Sequence, residues 1–336
     1  MKEKPKQRSE IGKDRIKADL RKIGVTKGSH VAVALSLKSI GYVKGGADTL
    51  IDALLEAVGS EGTIMMHTFT ALYPMSKIPS NNISNQSTDP STGLVPRIFL
   101  KRQQTIRSHH PALSVAAAGK LANYLTKDHN ENSEPYLPYQ RLTQIKGKYL
   151  AIGLGNRLVG IRHEAQRRAG LWIVPMIVGT QYITAEGKRK LFFLTLPPCV
   201  KTAPQLVPKI EKTGRIKRGK IGDAPSIIAP AKELLEAITS LLKKDPTLNL
   251  CDDIFCLQCR ELERRMNLYQ KIANPKLFQR NLFVRNFITA RNKLILKKYN
   301  KFSYSSKSSK NRIEALTLLE FPPSYILSLA KIIFRK

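Results

Sequence analysis

His30-Val31-Ala32-Val33-Ala34-Leu35 is a strand-length run in which almost every residue is apolar. Such a run suits a strand covered on both faces. Gly45-Gly46 then precedes residues 47–58, where Leu50, Ile51, Leu54, Leu55 and Val58 recur at helical spacing. Gly59 and Gly62 close that helix, and Thr63-Ile64-Met65-Met66 is a second buried strand. Strand, helix and strand in roughly 40 residues make a βαβ unit, the building block of an α/β protein.

Outward from this unit, residues 14–22 carry a short helical pattern (Ile16, Leu20, Ile23) ending at Gly24. Residues 1–13 are basic and are expected to be a disordered, solvated tail. Residues 73–93 are polar and rich in Pro, Ser and Asn, which predicts a long loop of functional interest. Further strands are expected at 114–118, 149–155, 171–178 and 191–196, and helices at 158–168 and 231–242.

The chain has 336 residues with 57 Lys plus Arg, 25 Asp plus Glu, and a formal net charge of +32. An apolar fraction of 42% is enough for a real core, which excludes wholesale disorder. The charge points to anionic partners and opposes a polycationic substrate. It is unevenly spread, because residues 271–336 hold 15 basic and 2 acidic residues. No apolar run reaches the roughly 18 residues of a transmembrane helix. The basic N-terminus lacks the apolar region of a secretory signal. With only 4 cysteines and no disulfide framework, a cytoplasmic, reducing location is expected.

Several segments, in this order, resemble the aminoglycoside 3-N-acetyltransferase family. They begin with Leu35-Ser36-Leu37-Lys38-Ser39-Ile40-Gly41-Tyr42-Val43, Gly45-Gly46-Ala47-Asp48-Thr49 and Ile51-Asp52-Ala53-Leu54. Glu61-Gly62-Thr63, Thr68-Phe69-Thr70, Arg107-Ser108-His109-His110-Pro111 and Ser114-Val115-Ala116-Ala117 continue the series. Pro138-Tyr139-Gln140-Arg141-Leu142, Gly153-Leu154-Gly155, His163-Glu164-Ala165-Gln166 and Asp245-Pro246-Thr247 complete it. The resemblance covers roughly residues 14–260. It implies a layered α-β-α architecture with a mixed central sheet, and an acetyltransferase domain over residues 14–268. It also implies acetyl transfer from acetyl-CoA to an amine, without a covalent enzyme intermediate. The expected acceptor is an aminoglycoside, another amino sugar or another cellular amine.

His163 matches the family's catalytic histidine, and imidazole titrates where a general base must. Read without the resemblance, it is a surface histidine on a basic helix. Gln166 stands where the family has a glutamate that orients the histidine. Positions i and i+3 share a helix face, so Gln166 can reach His163 by a hydrogen bond but brings no charge. Glu164, at i+1, faces elsewhere, while Arg162, Arg167 and Arg168 are expected to depress the His163 pKa. These features predict a weakened base or a catalytically weakened relative that binds coenzyme A or an anionic partner.

Ala34-Leu35-Ser36 aligns with the family's His-Ser-Ser. Ser36, Leu37, Lys38 and Ser39 lie in the segment resembling the coenzyme A site, and amides, hydroxyls and one cation at a strand end suit a phosphate. Thr68, Ser114 and Val115 are further candidates to line the coenzyme site. His67 replaces a usual proline. His110-Pro111 matches a family pair, with Leu113 in place of a second histidine. His110 and Asp89 are candidate substrate contacts, although a loop carboxylate such as Asp89 is also explained by solvation.

Cys251, Cys256 and Cys259 form C-x4-C-x2-C, which invites a zinc reading with Cys199 or a histidine as fourth ligand. No second C-x2-C exists, and the expectation is buried or idle thiols without metal. Gly153-Leu154-Gly155 lacks the third glycine and the acid of a dinucleotide fingerprint. The extension at 269–336 interleaves lysines with Tyr299, Phe302 and Tyr304 and ends in a basic amphipathic segment. It is expected to contact a nucleic acid or an anionic membrane weakly, or to stay solvated.

Overall fold

The computed structural model describes residues 10–251 except 75–76, 172–176, 185 and 196–205, together with Cys256 and Cys259. The extension at 269–336 and its expected contacts lie outside the described residues. The apolar run that opens the analysis forms β2 (His30–Leu35), which is followed by α2 (Leu37–Ile40) and α3 (Gly46–Val58). The second predicted strand is β4 (Thr63–His67). β2 and β4 pair in parallel, with His30 opposite Thr63, as the βαβ reading requires.

β9 (Lys148–Ile152) joins the other side of β2, also in parallel. β8 (Val115–Gly119) and β7 (Ile106–Arg107) add antiparallel strands beyond β4. A hairpin of β12 (Lys217–Ile221) and β13 (Ala224–Pro230) extends the sheet antiparallel beyond β9. The sheet thus has seven strands in the order β12-β13-β9-β2-β4-β8-β7. It is mixed, as expected, with three parallel strands at its centre.

The alternation of strand side chains divides the core in two. Val31, Val33, Ile64, Met66, Leu150 and Ile152 face one layer of buried apolar residues. That layer holds α1 (Lys13–Ile23), α3 and α4 (Leu94–Leu100). Ala32, Ala34, Met65, Tyr149 and Ala151 face the other. This second layer is built from α5 (Ala122–Thr126), α6 (Leu137–Gln144), α7 (Ile161–Arg168), α8 (Leu206–Glu211) and α9 (Ala231–Lys244). The result is the α-β-α layering expected from the sequence.

A second sheet joins β10 (Ile177–Ile183) to β11 (Arg189–Thr195) and to two short strands, β5 (Tyr73–Pro74) and β6 (Ile83–Ser84). The long loop at 73–93 is therefore pinned at two points. No helix among the described residues is long and apolar enough to cross a membrane.

Three local expectations change. The tail does not extend to residue 13: β1 (Glu10–Ile11) pairs in parallel with β3 (Tyr42–Val43), and α1 begins at Lys13. Burial of Ile11 outweighs the basic character of the segment. Of the strand expected at 171–178, residues 172–176 lie outside the described residues; β10 includes Ile177 and Val178, while Leu171 closes the turn after α7. The β12–β13 hairpin has no counterpart in the sequence reading. β12 is an edge strand whose Lys217, Arg218 and Lys220 are exposed, which blunts the edge but erases the apolar alternation.

Gly119 ends β8 with φ +111°, and a Cβ there would lie inside contact distance of the Gly62 carbonyl and 2.9 Å from the Thr63 Cα. Both obstacles are backbone of the neighbouring strand region. Gly119→Ala is expected to cost about 2–4 kcal/mol in urea unfolding. Gly170→Ala, also at positive φ but with open space around it, should lose roughly 1 kcal/mol. Equal losses would mean that strain alone, not the close approach of β4, governs Gly119.

Candidate active site

In a parallel sheet the carboxyl ends of neighbouring strands lie on one edge, where α/β proteins place their ligands. Here β2 ends at Leu35, β4 at His67 and β9 at Ile152, so that edge and the segments leaving it collect most of the candidate residues.

After β9, the chain reaches α7 through Gly160, whose φ is +77°. A side chain there would collide with His67 Nε2 and the Tyr139 hydroxyl. α7 then carries His163 inward, 6% exposed, with the Tyr136 ring stacked at 5.9 Å. The alternative of a surface histidine is therefore wrong. His163 Nδ1 lies 2.7 Å from Gln166 Oε1, one turn along the helix. Gln166 is fully buried and donates through Nε2 to Asn249 Oδ1, in the turn after α9. That donation fixes the amide so that Oε1 accepts from His163. The His163 proton therefore sits on Nδ1, and Nε2 is the unprotonated nitrogen.

Burial, with the positive charge of Arg162, pushes the His163 pKa down to about 3. Arg167 and Arg168, expected to contribute, do not: both bond the buried Glu164 carboxylate, at 2.9 and 2.8 Å. Glu164 thus faces away from His163, as its i+1 position requires.

His67 meets the Tyr139 hydroxyl at 2.6 Å and Phe69 edge-on, and burial lowers its pKa to about 4. Beside it, a polar knot forms around Arg107. The guanidinium donates to Ser114 Oγ at 3.1 Å, to the Thr68 carbonyl at 2.8 Å, and to the Asn85, Gln86 and Thr88 carbonyls. It thereby ties the 85–88 loop to the ends of β4 and β8. Burial lowers its pKa to about 10, and the Asp89 charge opposes that. Ser114 Oγ donates to the Thr68 carbonyl, and Val115 N donates to Ser108 Oγ. Thr68, Ser114 and Val115 are each 2% exposed or less; the Thr68 and Ser114 side chains brace this knot, and the Val115 side chain packs in the apolar core.

Ser36, Leu37, Lys38 and Ser39 form the turn into α2. Ser39 Oγ donates to Ser36 Oγ at 2.9 Å and lies 3.2 Å from the Gly153 carbonyl, and Lys38 is exposed. Asp89 is exposed and pairs with Arg97 at 3.7 Å. His110 Nδ1 accepts from Leu113 N at 2.9 Å, which places its proton on a buried Nε2 without a hydrogen-bond partner among the described residues. Its ring lies 4.7 Å from His129 and 5.0 Å from Phe192 of β11, so the second sheet covers this side.

Sequence reasoning singled out neither Arg107 and Tyr139 nor His129 and Asn249 as site residues. Arg107 and Tyr139 lie inside matched segments and were within reach of it. Asn249 had no signal, because its contact with Gln166 spans 83 residues.

His67, His110, His129 and His163 all have pKa values lowered by burial. The unfolded chain takes up protons that the folded chain refuses. The stability these neutral rings contribute is therefore complete above roughly pH 6.5 and is lost as pH falls toward their folded values. The urea midpoint is expected to drop between roughly pH 7 and pH 5, by on the order of a few kcal/mol. A flat midpoint over that interval would contradict the buried neutral histidines.

Comparison with known proteins adds to this geometry. A family model described as aminoglycoside 3-N-acetyltransferase matches residues 33–243, from β2 into α9. Aminoglycoside N(3)-acetyltransferase III of Serratia marcescens is 29% identical over 253 residues, 66% of this chain and 93% of that protein. A solved structure of a mutant aminoglycoside acetyltransferase AAC(3)-IVa in complex with gentamicin has a TM-score of 0.67 at 22% identity, covering 77% of this chain and 99% of that one. AAC-IIIb in binary complex with CoASH has a TM-score of 0.61 at 22% identity, covering 70% and 97%. These two likenesses bear on the fold.

Proposed function

Because this chain belongs to the aminoglycoside 3-N-acetyltransferase family, acyltransferases associated with antibiotic resistance, we propose that it moves the acetyl group of acetyl-CoA to an amino group of an aminoglycoside or other amino sugar, with His163 as general base. The observation that carries this reading is the 2.7 Å contact between His163 Nδ1 and Gln166 Oε1. Gln166 Oε1 holds the proton on Nδ1 and leaves Nε2 as the proton acceptor. The Ser36–Ser39 turn suits coenzyme A through its exposed Lys38, its hydroxyls and its backbone at the strand end. The thioester supplies the acetyl group. As the amine nitrogen forms the new C–N bond, the C–S bond breaks, and Nε2 takes the amine's proton and passes it to the departing thiolate, which restores the neutral imidazole.

A conjugate-acid pKa of about 3 makes His163 always neutral but a weak base. Proton transfer then becomes favourable only as the C–N bond forms and acidifies the amine. A family glutamate at 166 would stabilise the imidazolium by charge; Gln166 does not. Asn249 Nδ2 is buried without a hydrogen-bond partner among the described residues, so a rotated Asn249 amide has a donor ready for such a carboxylate. Carboxylates on the loops framing the site are engaged, Asp89 with Arg97 and Glu134 with Arg167. Together with the +32 charge, this favours acceptors with few positive charges over polycationic antibiotics. The use of acetyl-CoA as donor favours an enzyme working in the cytoplasm.

The test is thiol release from acetyl-CoA with a panel of aminoglycosides and nucleotide-linked amino sugars. His163→Ala should lose roughly 100-fold or more in kcat. Gln166→Glu should gain about tenfold, near 1.4 kcal/mol, and should bring an acid limb of the pH–rate profile up toward neutrality. Turnover unaffected by His163→Ala would eliminate the base. No turnover in either the wild type or Gln166→Glu, with coenzyme A still bound, would favour a binding relative over an enzyme.

A further inference from the structure

The three cysteines left idle by the sequence reading converge. Cys251, Cys256 and Cys259 are all buried, and their Sγ atoms lie within 4.8 Å of one another. The Cys251 and Cys259 sulfurs are 3.5 Å apart. A disulfide needs about 2.05 Å. Tetrahedral zinc with Zn–S bonds of about 2.3 Å sets its sulfurs roughly 3.8 Å apart, which is the scale found here. The Cys251 backbone N–H points at Cys259 Sγ, 3.3 Å away, and such a donor stabilises sulfur in its thiolate form. A hydrophobic pair or a surface thiol would need neither the convergence nor the donor.

From this geometry we infer that Cys251, Cys256 and Cys259 are the protein ligands of a structural site for one thiophilic cation, best matched by zinc(II). Three thiols lose their protons to solvent as the ion binds, and the resulting Zn–S₃ group carries one net negative charge, which a strongly basic chain accommodates. Among the described residues no histidine or carboxylate joins the group. The fourth position belongs to solvent or to a donor outside the described residues.

The site would also act on the catalytic edge. Cys251 follows Asn249 and Leu250, Leu250 packs against the three thiols, and Asn249 holds Gln166. A cation there anchors the C-terminal end of the turn that positions the His163–Gln166 pair, while lying outside the acetyl-transfer chemistry itself.

The experiment uses the full chain purified under reducing conditions. Its metal content is measured by elemental analysis, and the chelator-stripped protein is then titrated with cobalt(II). The expected results are close to one zinc per chain and a cobalt spectrum with thiolate charge-transfer and tetrahedral d–d bands. Cys256→Ser and Cys259→Ser should each weaken cobalt affinity at least tenfold while keeping the far-ultraviolet dichroism of the wild type. Should those variants fail to fold, the stripped wild type still decides the matter, because added zinc must raise its Tm. Absence of stoichiometric metal, a cobalt spectrum without thiolate bands, or a Cys251–Cys259 disulfide in the purified protein would overturn the site. None of these readouts depends on acetyl transfer, so they stand or fall apart from the proposed activity.

Discussion

The parallel pairing of β9, β2 and β4 is the constraint on which the rest depends. Parallel strands deliver their carboxyl ends to one edge, and each of these three ends in a segment that carries chemistry: Ser36 to Ser39, His67 to Thr68, and Gly153 to His163. The antiparallel flanks add stabilising partners. β8 and β7 bring Ser114 and Arg107 against the end of β4, and β13 closes the other side beyond β9. An antiparallel arrangement of the central three would scatter the same residues over two edges.

Burial gives this edge its chemical character. Imidazoles that are charged in acid elsewhere are held neutral here, because no carboxylate among the described residues offsets the loss of water. Gln166 fits that environment. It satisfies the His163 Nδ1–H and the Asn249 Oδ1 without adding a buried charge that would need its own compensation. Its cost is base strength, since an amide dipole stabilises imidazolium far less than a carboxylate. Arg107 shows the opposite choice. A buried cation is kept, and carbonyls of the 85–88 loop and Thr68 supply its acceptors, so one side chain orders a loop that has little regular structure of its own.

Charge separates the two partners of the proposed reaction. A net +32 attracts the phosphates of coenzyme A at long range and repels a polycationic acceptor. Arg167 and Arg168, at the end of α7, are paired with Glu164, and Arg167 also with Glu134. The field at His163 is therefore set less by these two arginines than by the adjacent Arg162 and by the long-range charge of the chain.

Much of this was legible in the residues. Apolar runs at 30–35 and 63–66, with a helical pattern between them, determined the βαβ unit, because a strand buried on both faces has no other composition available to it. The i, i+3 spacing of His163 and Gln166 determined their contact. The sequence alone also determined the charge and the ordered motifs of the family. Tertiary structure decided what no local pattern encodes. The polar edge strand β12 is held by pairing rather than by apolar alternation. Asn249 was brought to Gln166 across 83 residues of sequence, in the turn after α9. Each is a contact between groups that sequence spacing leaves independent, and only the closing of the core brings them within bonding distance.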